Sequence, residues 1–295
     1  MRFGIMTMQK NLLAPTQVSG DIRAQMAAFD HAALAGRLAQ CGFGLIELSG
    51  DMVLFFPEAF SPATVERLAA LKAEKGLAYT VHLPLWSVEP STPLLPVREG
   101  SVRAVIETIH ASAPLEPEAY VLHATGALAA EFYRMDLPEQ ARALILRFFQ
   151  QHAGNSIATI LSETGIPSRR LAIETVEFPL DLTLELAERF DTGICLDTGH
   201  ILAGFAGRPD LLAALEASLP RLAEVHLHDS PMQRPGELPC YGRDHRPLGT
   251  GDLDLAGLLH RLAAAGYDGP IVLELTVEEA LASLEVIRRS HPGVA

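Results

Sequence analysis

The chain has 295 residues and a formal net charge of −13, with 48% hydrophobic and 20% charged residues. This composition excludes a long disordered chain and supplies enough apolar residues for a large core. The acidic balance also argues against long polyanions such as nucleic acids as partners, because the basic pairs at 169–170 and 288–289 are isolated and no basic run gathers positive charge.

Eight short apolar runs predict β-strands: RFGIMT, FGLIELS, AYTVHLPL, AYVLHAT, LAIETV, GICLDTG, LAEVHLHD and PIVLELT. Segments with helical periodicity lie between them, and several begin at Ser, Pro or Asp and end at Gly. Eight alternating units predict a single α/β domain over residues 1–295, a closed (β/α)8 TIM barrel. The alternative is an open doubly wound sheet, but the first strand lacks the glycine-rich phosphate loop of a dinucleotide-binding fold.

The cysteines point to a reducing compartment. Cys41, Cys195 and Cys240 are scattered and odd in number, unlike a disulfide framework. The sequence also shows neither a cleavable leader nor an apolar stretch of membrane-spanning length. We therefore expect a soluble, cytoplasmic protein that does not bind a membrane.

Polar residues occur where the predicted strands end. In a barrel of this kind the active site lies where strands run into the following loops. Seven of the eight strands deliver a carboxylate or an imidazole to this end: Glu47, His82, His123, Glu174, Asp197 with His200, His226 with His228 and Asp229, and Glu274. Glu, Asp and His are ligands of divalent ions, and so many titratable groups would otherwise repel one another or need shifted pKa values. The pattern predicts a metal centre.

Some residues near this centre have two interpretations. His226 and His228 share a strand face by their spacing of two, unless His228 already lies in the following loop. Asp229 fits a cap and a ligand equally well. Glu177, just past the fifth strand, fits a structural or supporting role better than that of a ligand.

The stretch GRDHRPLGTGDLD at 242–254 follows the seventh strand and carries Asp244 and His245. Loops of this length in compact domains are often functional, so a contribution to the ligands and a purely structural capped loop are equally compatible with the spacing. Asp254 is expected to cap the helix that follows.

The segments IETV, CLDTGH, EVHLHDS, HRPLGTGDLD and LEL occur in the order and on the strands typical of xylose isomerase-like barrels. The chain resembles this superfamily over nearly its whole length. The superfamily includes sugar isomerases and epimerases as well as phosphodiesterases of the endonuclease IV type. The isomerase branch implies one metal held by Glu174, Asp197, His226 and Glu274, with Glu174 and Glu274 as the acid and base that move a proton at carbon.

The endonuclease-like branch has further ligands, and this chain carries His82, His123, His200, Asp244 and His245 in their places. This resemblance implies two or three divalent ions per chain, zinc or manganese, which activate water and neutralise charge on the attacking and leaving oxygens. It implies catalytic roles for Glu174, Asp197 and Glu274. One departure weakens the case for a third ion: Arg243 stands where that branch has its loop acid, and Asp244 directly precedes His245.

The segment YTVHLPLWSVEPSTPLLPVREGSV resembles the cobamide-remodelling phosphodiesterases of the superfamily, which cleave the nucleotide-loop phosphoester of corrinoids. The resemblance implies a metal-dependent phosphodiesterase acting on a small or medium phosphodiester, such as that of a corrinoid. Trp86 either faces a flat macrocycle or base or plugs the loop from below. We expect Trp86, Arg243 and Glu47 to bind substrate, and MVLFFPEAF at 52–60 to form another pocket wall.

A one-metal sugar isomerase or epimerase is the alternative function, and a non-catalytic metal- or ligand-binding barrel is a third. The number of metal ions per chain distinguishes them, because the isomerase needs one ion and the phosphodiesterase at least two.

Overall fold

The computed structural model describes residues 1–9, 29–207, 209–234, 236–237, 239 and 242–290; Cys240 lies outside them. Its strands are Arg2–Met6 (β1), Leu45–Ser49 (β2), Ala78–His82 (β3), Tyr120–Leu122 (β4), Leu171–Glu174 (β5), Gly193–Asp197 (β6), Leu222–His226 (β7) and Pro270–Leu273 (β8). They run parallel and pair in sequence order, and β1 also pairs with β8, which closes the barrel. The predicted single-domain (β/α)8 barrel is confirmed, and the open doubly wound sheet is wrong.

Helices surround the barrel: His31–Gln40 (α1), Pro62–Lys75 (α2), Leu95–Ser112 (α3), Ala127–Arg134 (α4), Glu139–Thr164 (α5), Leu180–Phe190 (α6), Thr198–Ala203 (α7), Leu211–Ser218 (α8), Leu255–Ala264 (α9) and Val277–Ser290 (α10). Buried apolar side chains such as Leu68, Ile109 and Leu258 form the core between helices and strands. Within the described ranges, no helix is long and apolar enough to span a membrane. The cysteines in those ranges, Cys41 and Cys195, are free thiols.

Helix starts follow the capping chemistry of the sequence. At the starts of α1, α8 and α9, an aspartate accepts a hydrogen bond from the backbone N–H three residues on, and these residues are Asp30, Asp210 and Asp254. The predicted cap at Asp254 is confirmed. Gly76 ends α2 with a φ of +66°, a left-handed conformation that glycine adopts without strain.

The barrel interior is partly polar. Glu47 on β2 and Glu224 on β7 are fully buried, and Thr80 on β3 donates a hydrogen bond to Glu224 at 2.9 Å. Burial, together with the neighbouring Glu47 carboxylate, raises the pKa of Glu224 well above its ordinary value. The interior therefore favours the neutral form of Glu224 at neutral pH.

Asp229, just past β7, organises the long loop that leads to α9. Its buried carboxylate accepts hydrogen bonds from the backbone amides of Ser230, Gly249, Thr250, Gly251 and Leu253. Its backbone pairs with Arg246 in an isolated antiparallel bridge. A Cβ at Gly251 would overlap the carboxylate, so only glycine fits there. Asp229 therefore holds the loop, which decides between the two interpretations of this residue.

We predict that Asp229→Asn destabilises the protein by about 3 kcal/mol, because an amide cannot accept all these buried N–H groups and charged hydrogen bonds contribute about 1.5–3 kcal/mol each. Unfolding in urea measures the loss. Asp254→Asn is the control, since Asn caps helices as well as Asp does and should leave the urea midpoint nearly unchanged. Equal midpoints for both variants would contradict this role of Asp229.

Candidate metal centre

The strand-end residues converge at the carboxyl-terminal mouth of the barrel. His82, Glu174, Asp197 and His226 are the last residues of β3, β5, β6 and β7, whereas His123 and Glu274 directly follow β4 and β8. The register pairs Asp197 with His226 across neighbouring strands. His200 lies in α7, which begins directly after β6. Because parallel strands all end at the same mouth, one fold feature brings these residues together.

A first group, the Glu174 cluster, consists of His82, His123, Glu174 and His226. Glu174 Oε2 lies 3.1 Å from His82 Nε2 and 2.9 Å from His123 Nε2. The other carboxylate oxygen, Oε1, lies 3.6 Å from His226 Nδ1. A single buried carboxylate thus faces three imidazoles.

A second group, the Asp197 cluster, consists of Asp197, His200, His228 and His245. Asp197 Oδ2 lies 3.0 Å from His228 Nε2 and 3.4 Å from His200 Nδ1. Asp197 Oδ1 accepts the backbone N–H of His200 at 2.7 Å and so caps α7. The apolar strand β6 therefore ends in a carboxylate, Asp197, that both starts α7 and faces two imidazoles.

Two carboxylates connect the clusters. Glu174 Oε1 lies 3.3 Å from His200 Nδ1. Glu274 lies 3.4 Å from His226 Nδ1 through Oε1 and 3.1 Å from His245 Nε2 through Oε2. The loop acid Asp244 faces the same region, with Oδ2 2.7 Å from His245 Nδ1 and 4.0 Å from His200 Nε2. All the predicted ligands thus lie at one mouth, and Asp244 faces the site.

The donors fit divalent ions. Within each of two groups, His82 with Glu174 and His226, and Asp197 with His200, His228 and His245, nitrogen and oxygen atoms of the side chains lie within 4.8 Å of one another. Ligands held about 2.0–2.2 Å from one ion lie at comparable separations. His200 Nδ1 and His226 Nδ1 are buried without a hydrogen-bond partner, although both face carboxylates. An ion held between each nitrogen and the carboxylate oxygen that it faces would give both atoms a partner.

The electrostatics show how strongly the carboxylates hold positive charge. Burial lowers the pKa of His82, but its hydrogen bond to Glu174 and the nearby acidic charges raise it to about 9. Burial likewise lowers the pKa of His200, but the charges of Asp197 and Glu174 raise it to about 9. Burial opposes ionisation of Glu174, yet the charges of His123 and His226 hold its pKa well below the ordinary value. The site therefore favours cations between its acids.

A cavity of about 300 Å³ opens onto both clusters. Its floor is polar and its wall is apolar; the wall consists of Met6, Met8, Leu85, Trp86 and Leu275. Trp86 is 52% exposed, so it lines the cavity entrance and does not plug the loop. Its ring meets Phe55, from the predicted second wall, edge-on at 6.1 Å.

Asp51 also lines the cavity, and the sequence interpretation missed it. Its carboxylate accepts the N–H of Leu85 at 3.0 Å and so holds the loop that carries Trp86. Its position in the sequence could have indicated this role, because Asp51 is an acid two residues past the end of β2 in an otherwise apolar stretch.

Other predicted residues lie elsewhere. Glu47 is not on the cavity wall; it is fully buried beneath His226, with Oε1 3.3 Å from His226 Nε2. Arg243 is exposed and does not line the cavity, so its contact with substrate stays a prediction. Glu177 forms an ion pair with Arg134 at 3.1 Å, as a structural role requires. His228 joins the site although it was not among the predicted ligands.

A model of the xylose isomerase-like TIM barrel family matches residues 35–290. The chain belongs to this family. An uncharacterized protein of Methanocaldococcus jannaschii is 24% identical over 243 residues, which cover 77% of this chain and 75% of that protein. With its buried histidine–carboxylate clusters, this xylose isomerase-like barrel is a metal-binding enzyme of its superfamily.

Solved structures of other proteins superpose on nearly the whole chain. A D-tagatose 3-epimerase-like protein has a TM-score of 0.71 at 19% identity, with 98% of this chain and 97% of that chain covered. Endonuclease IV of Thermus thermophilus has a TM-score of 0.66 at 21% identity, with 98% of both chains covered. At these identities the likeness shows the fold.

We predict that His82→Ala and His123→Ala each lower the metal content per chain while the barrel stays folded, because each variant removes an imidazole from the Glu174 cluster. Elemental analysis of protein purified without chelator measures the content. His110→Ala removes an exposed imidazole on α3 and is the control. Unchanged stoichiometry in both site variants would contradict a multi-metal centre.

We predict that zinc binding at pH 7 releases protons, because His82 and His200 have pKa values of about 9 and bind metal only when neutral. Calorimetry in buffers of different ionisation enthalpy counts the protons.

The same pKa values set the stability of metal-free protein. Since folding raises them above the ordinary 6.5, each imidazolium stabilises the fold fully below that pH, and the contribution is lost as pH rises through about 9. Metal-free protein should therefore lose thermal stability from pH 7 to 10 relative to zinc-loaded protein. A constant difference between the two forms, with no protons released, would contradict the protonated pairs.

Proposed function

We propose that this enzyme is a metal-dependent phosphodiesterase that hydrolyses a small or medium phosphodiester, the nucleotide-loop phosphoester of a corrinoid. The observation that carries the proposal is the pair of adjacent ligand clusters joined by Glu174 and Glu274. One ion held by Glu174, Asp197, His226 and Glu274 leaves four imidazoles at the same mouth without a function: His82, His123, His200 and His245. Two or more ions use them.

The charge of the site supports an anionic substrate only if metal is present. The cavity lining includes no Lys or Arg among the described residues, whereas Asp51, Glu174 and Glu274 all contribute carboxylates. In metal-free protein the imidazoliums of His82 and His200 offset these carboxylates; once metal binding removes their protons, divalent ions supply the positive charge that attracts a phosphodiester. Activity should therefore depend strictly on metal.

The shape of the cavity supports a substrate with an apolar, flat part. A volume of about 300 Å³ holds a phosphodiester with an adjoining small group but not a corrin macrocycle. A macrocycle would rest at the entrance, where Trp86 and Phe55 present aromatic surface. The likeness to endonuclease IV agrees with a phosphodiester, and the net charge of −13 disfavours long nucleic acid.

The chain's own residues have distinct roles in this proposal. Bound ions would supply activated water and neutralise charge on the attacking and leaving oxygens. Glu274 lies on the cavity floor, so its carboxylate is placed to accept the proton of the attacking water. Glu174 and Asp197 orient the imidazoles of their clusters. Trp86 binds the substrate beside the floor.

A sugar isomerase or epimerase is the second candidate. The set of Glu174, Asp197 and Glu274 around His226 favours it, as does the likeness to an epimerase-like structure. Glu174 and Glu274 would then act as acid and base at carbon. The apolar cavity wall is a poor partner for a free sugar, whose hydroxyls need hydrogen-bonding groups.

We predict that zinc- or manganese-loaded protein hydrolyses bis(4-nitrophenyl) phosphate and a cobamide, and that His200→Ala lowers turnover by about 100-fold or more through loss of a ligand. The isomerase set does not include His200, so the variant separates the two candidates. His260→Ala, on exposed α9 surface, is the control. Conversion of a ketose by native protein with one ion, and full activity in His200→Ala, would overturn the proposal.

A further inference from the structure

His228 uses both of its ring nitrogens in hydrogen bonds. Its Nδ1 accepts the backbone N–H of His245 at 2.9 Å, and its Nε2 lies 3.0 Å from Asp197 Oδ2. A backbone amide only donates, so Nδ1 carries the lone pair and Nε2 carries the proton. The fully buried ring is therefore held as one neutral tautomer, with no lone pair left for a metal ion.

The surroundings fix this ring in place. Thr198 Oγ1 accepts the N–H of His228 at 3.1 Å and lies 2.8 Å from its carbonyl oxygen, so the backbone is held at both ends. The ring of His245 stacks on it with centroids 4.0 Å apart and an interplanar angle of 11°. A Cβ at Gly199 would overlap the His228 ring at Cε1. Gly199 is thus required to make room for the ring.

We propose that His228 is a positioning residue that holds Asp197 and His245 for the ions and is not itself a ligand. The proposal rests on the metal centre but not on which reaction the centre performs. His228 restrains Asp197 Oδ2 on one side and the backbone of His245 on the other. His245 has a φ of +55°, a conformation that non-glycine residues rarely adopt, and this hydrogen bond helps to hold it there.

The opposite assignment conflicts with the local hydrogen bonding. For His228 to bind an ion through Nε2, the proton would have to move to Nδ1, where it would face the N–H of His245. Two buried donors would then oppose each other, and the amide of His245 would lose its acceptor. Asp197 would also lose the donor that faces Oδ2.

Nitrogen-15 NMR of histidine-labelled protein, before and after addition of zinc chloride, tests the proposal directly. We expect the His228 resonance, assigned by its loss in His228→Gln, to show the Nε2–H tautomer in both states. A ligand would instead show a zinc-shifted Nε2 and the Nδ1–H tautomer, which would overturn the proposal. Both spectra are recorded on native protein, and the His228→Gln variant serves only to assign the resonance.

Zinc titrations of His228 variants give the second readout. His228→Ala should weaken binding by about 10–100-fold, as loss of an outer partner of a ligand does, while the number of ions bound at saturation stays unchanged. His228→Gln should recover part of the affinity, because its amide N–H can still donate to Asp197. Loss of one whole ion in both variants would identify His228 as a ligand. Phosphodiesterase activity does not enter either readout.

Discussion

The Glu174 carboxylate is the interaction on which the site depends. One oxygen accepts hydrogen bonds from His82 and His123, and the other faces His200 and His226. The side chain is 1% exposed, so water cannot compensate its charge. A buried carboxylate of this kind is stable only with positive charge around it, whether that charge is imidazolium or metal. The reaction that the site can perform therefore depends on whether imidazolium or metal surrounds this carboxylate.

The barrel supplies the rigidity that such a site needs. Closed parallel strands place successive ligands at fixed positions around one mouth, and the apolar layer beneath the helices holds the strands. The loop after β7 has no such support from the sheet. Asp229 instead holds the loop backbone with hydrogen bonds. His228 connects the loop to Asp197, because its ring bonds both the amide of His245 and the Asp197 carboxylate. These two residues shortly after β7 thus turn a long loop into part of the site.

Much of this could be predicted from the sequence, and the exceptions have physical reasons. The eight alternating units predict the barrel, and polar residues at the strand ends then have to meet, which is why the predicted ligands lie together at one mouth. Glu47 lies two residues before the end of β2, beside Thr80 in the register, so its carboxylate lies deeper in the barrel next to His226 and not on the cavity wall; its contact with substrate stays a prediction. The role of His228 depends on the backbone amide of a residue 17 positions away, which no local pattern contains.

The loop after β7 shows the same limit. Of the neighbouring residues Arg243 and Asp244, only Asp244 contacts the site, with Oδ2 2.7 Å from His245 Nδ1, whereas Arg243 is exposed. The sequence indicated that the loop carries an acid and a histidine but not which side chain would face inward.

Anomalous diffraction from manganese-soaked crystals tests most directly whether Glu174 lies between two ions. Two or more anomalous peaks should occupy the mouth, one beside His82 and His123 and another beside Asp197, with Glu174 contacting both. A single peak bounded by Glu174, Asp197, His226 and Glu274, with no density beside His82 and His123, would contradict the multi-metal account.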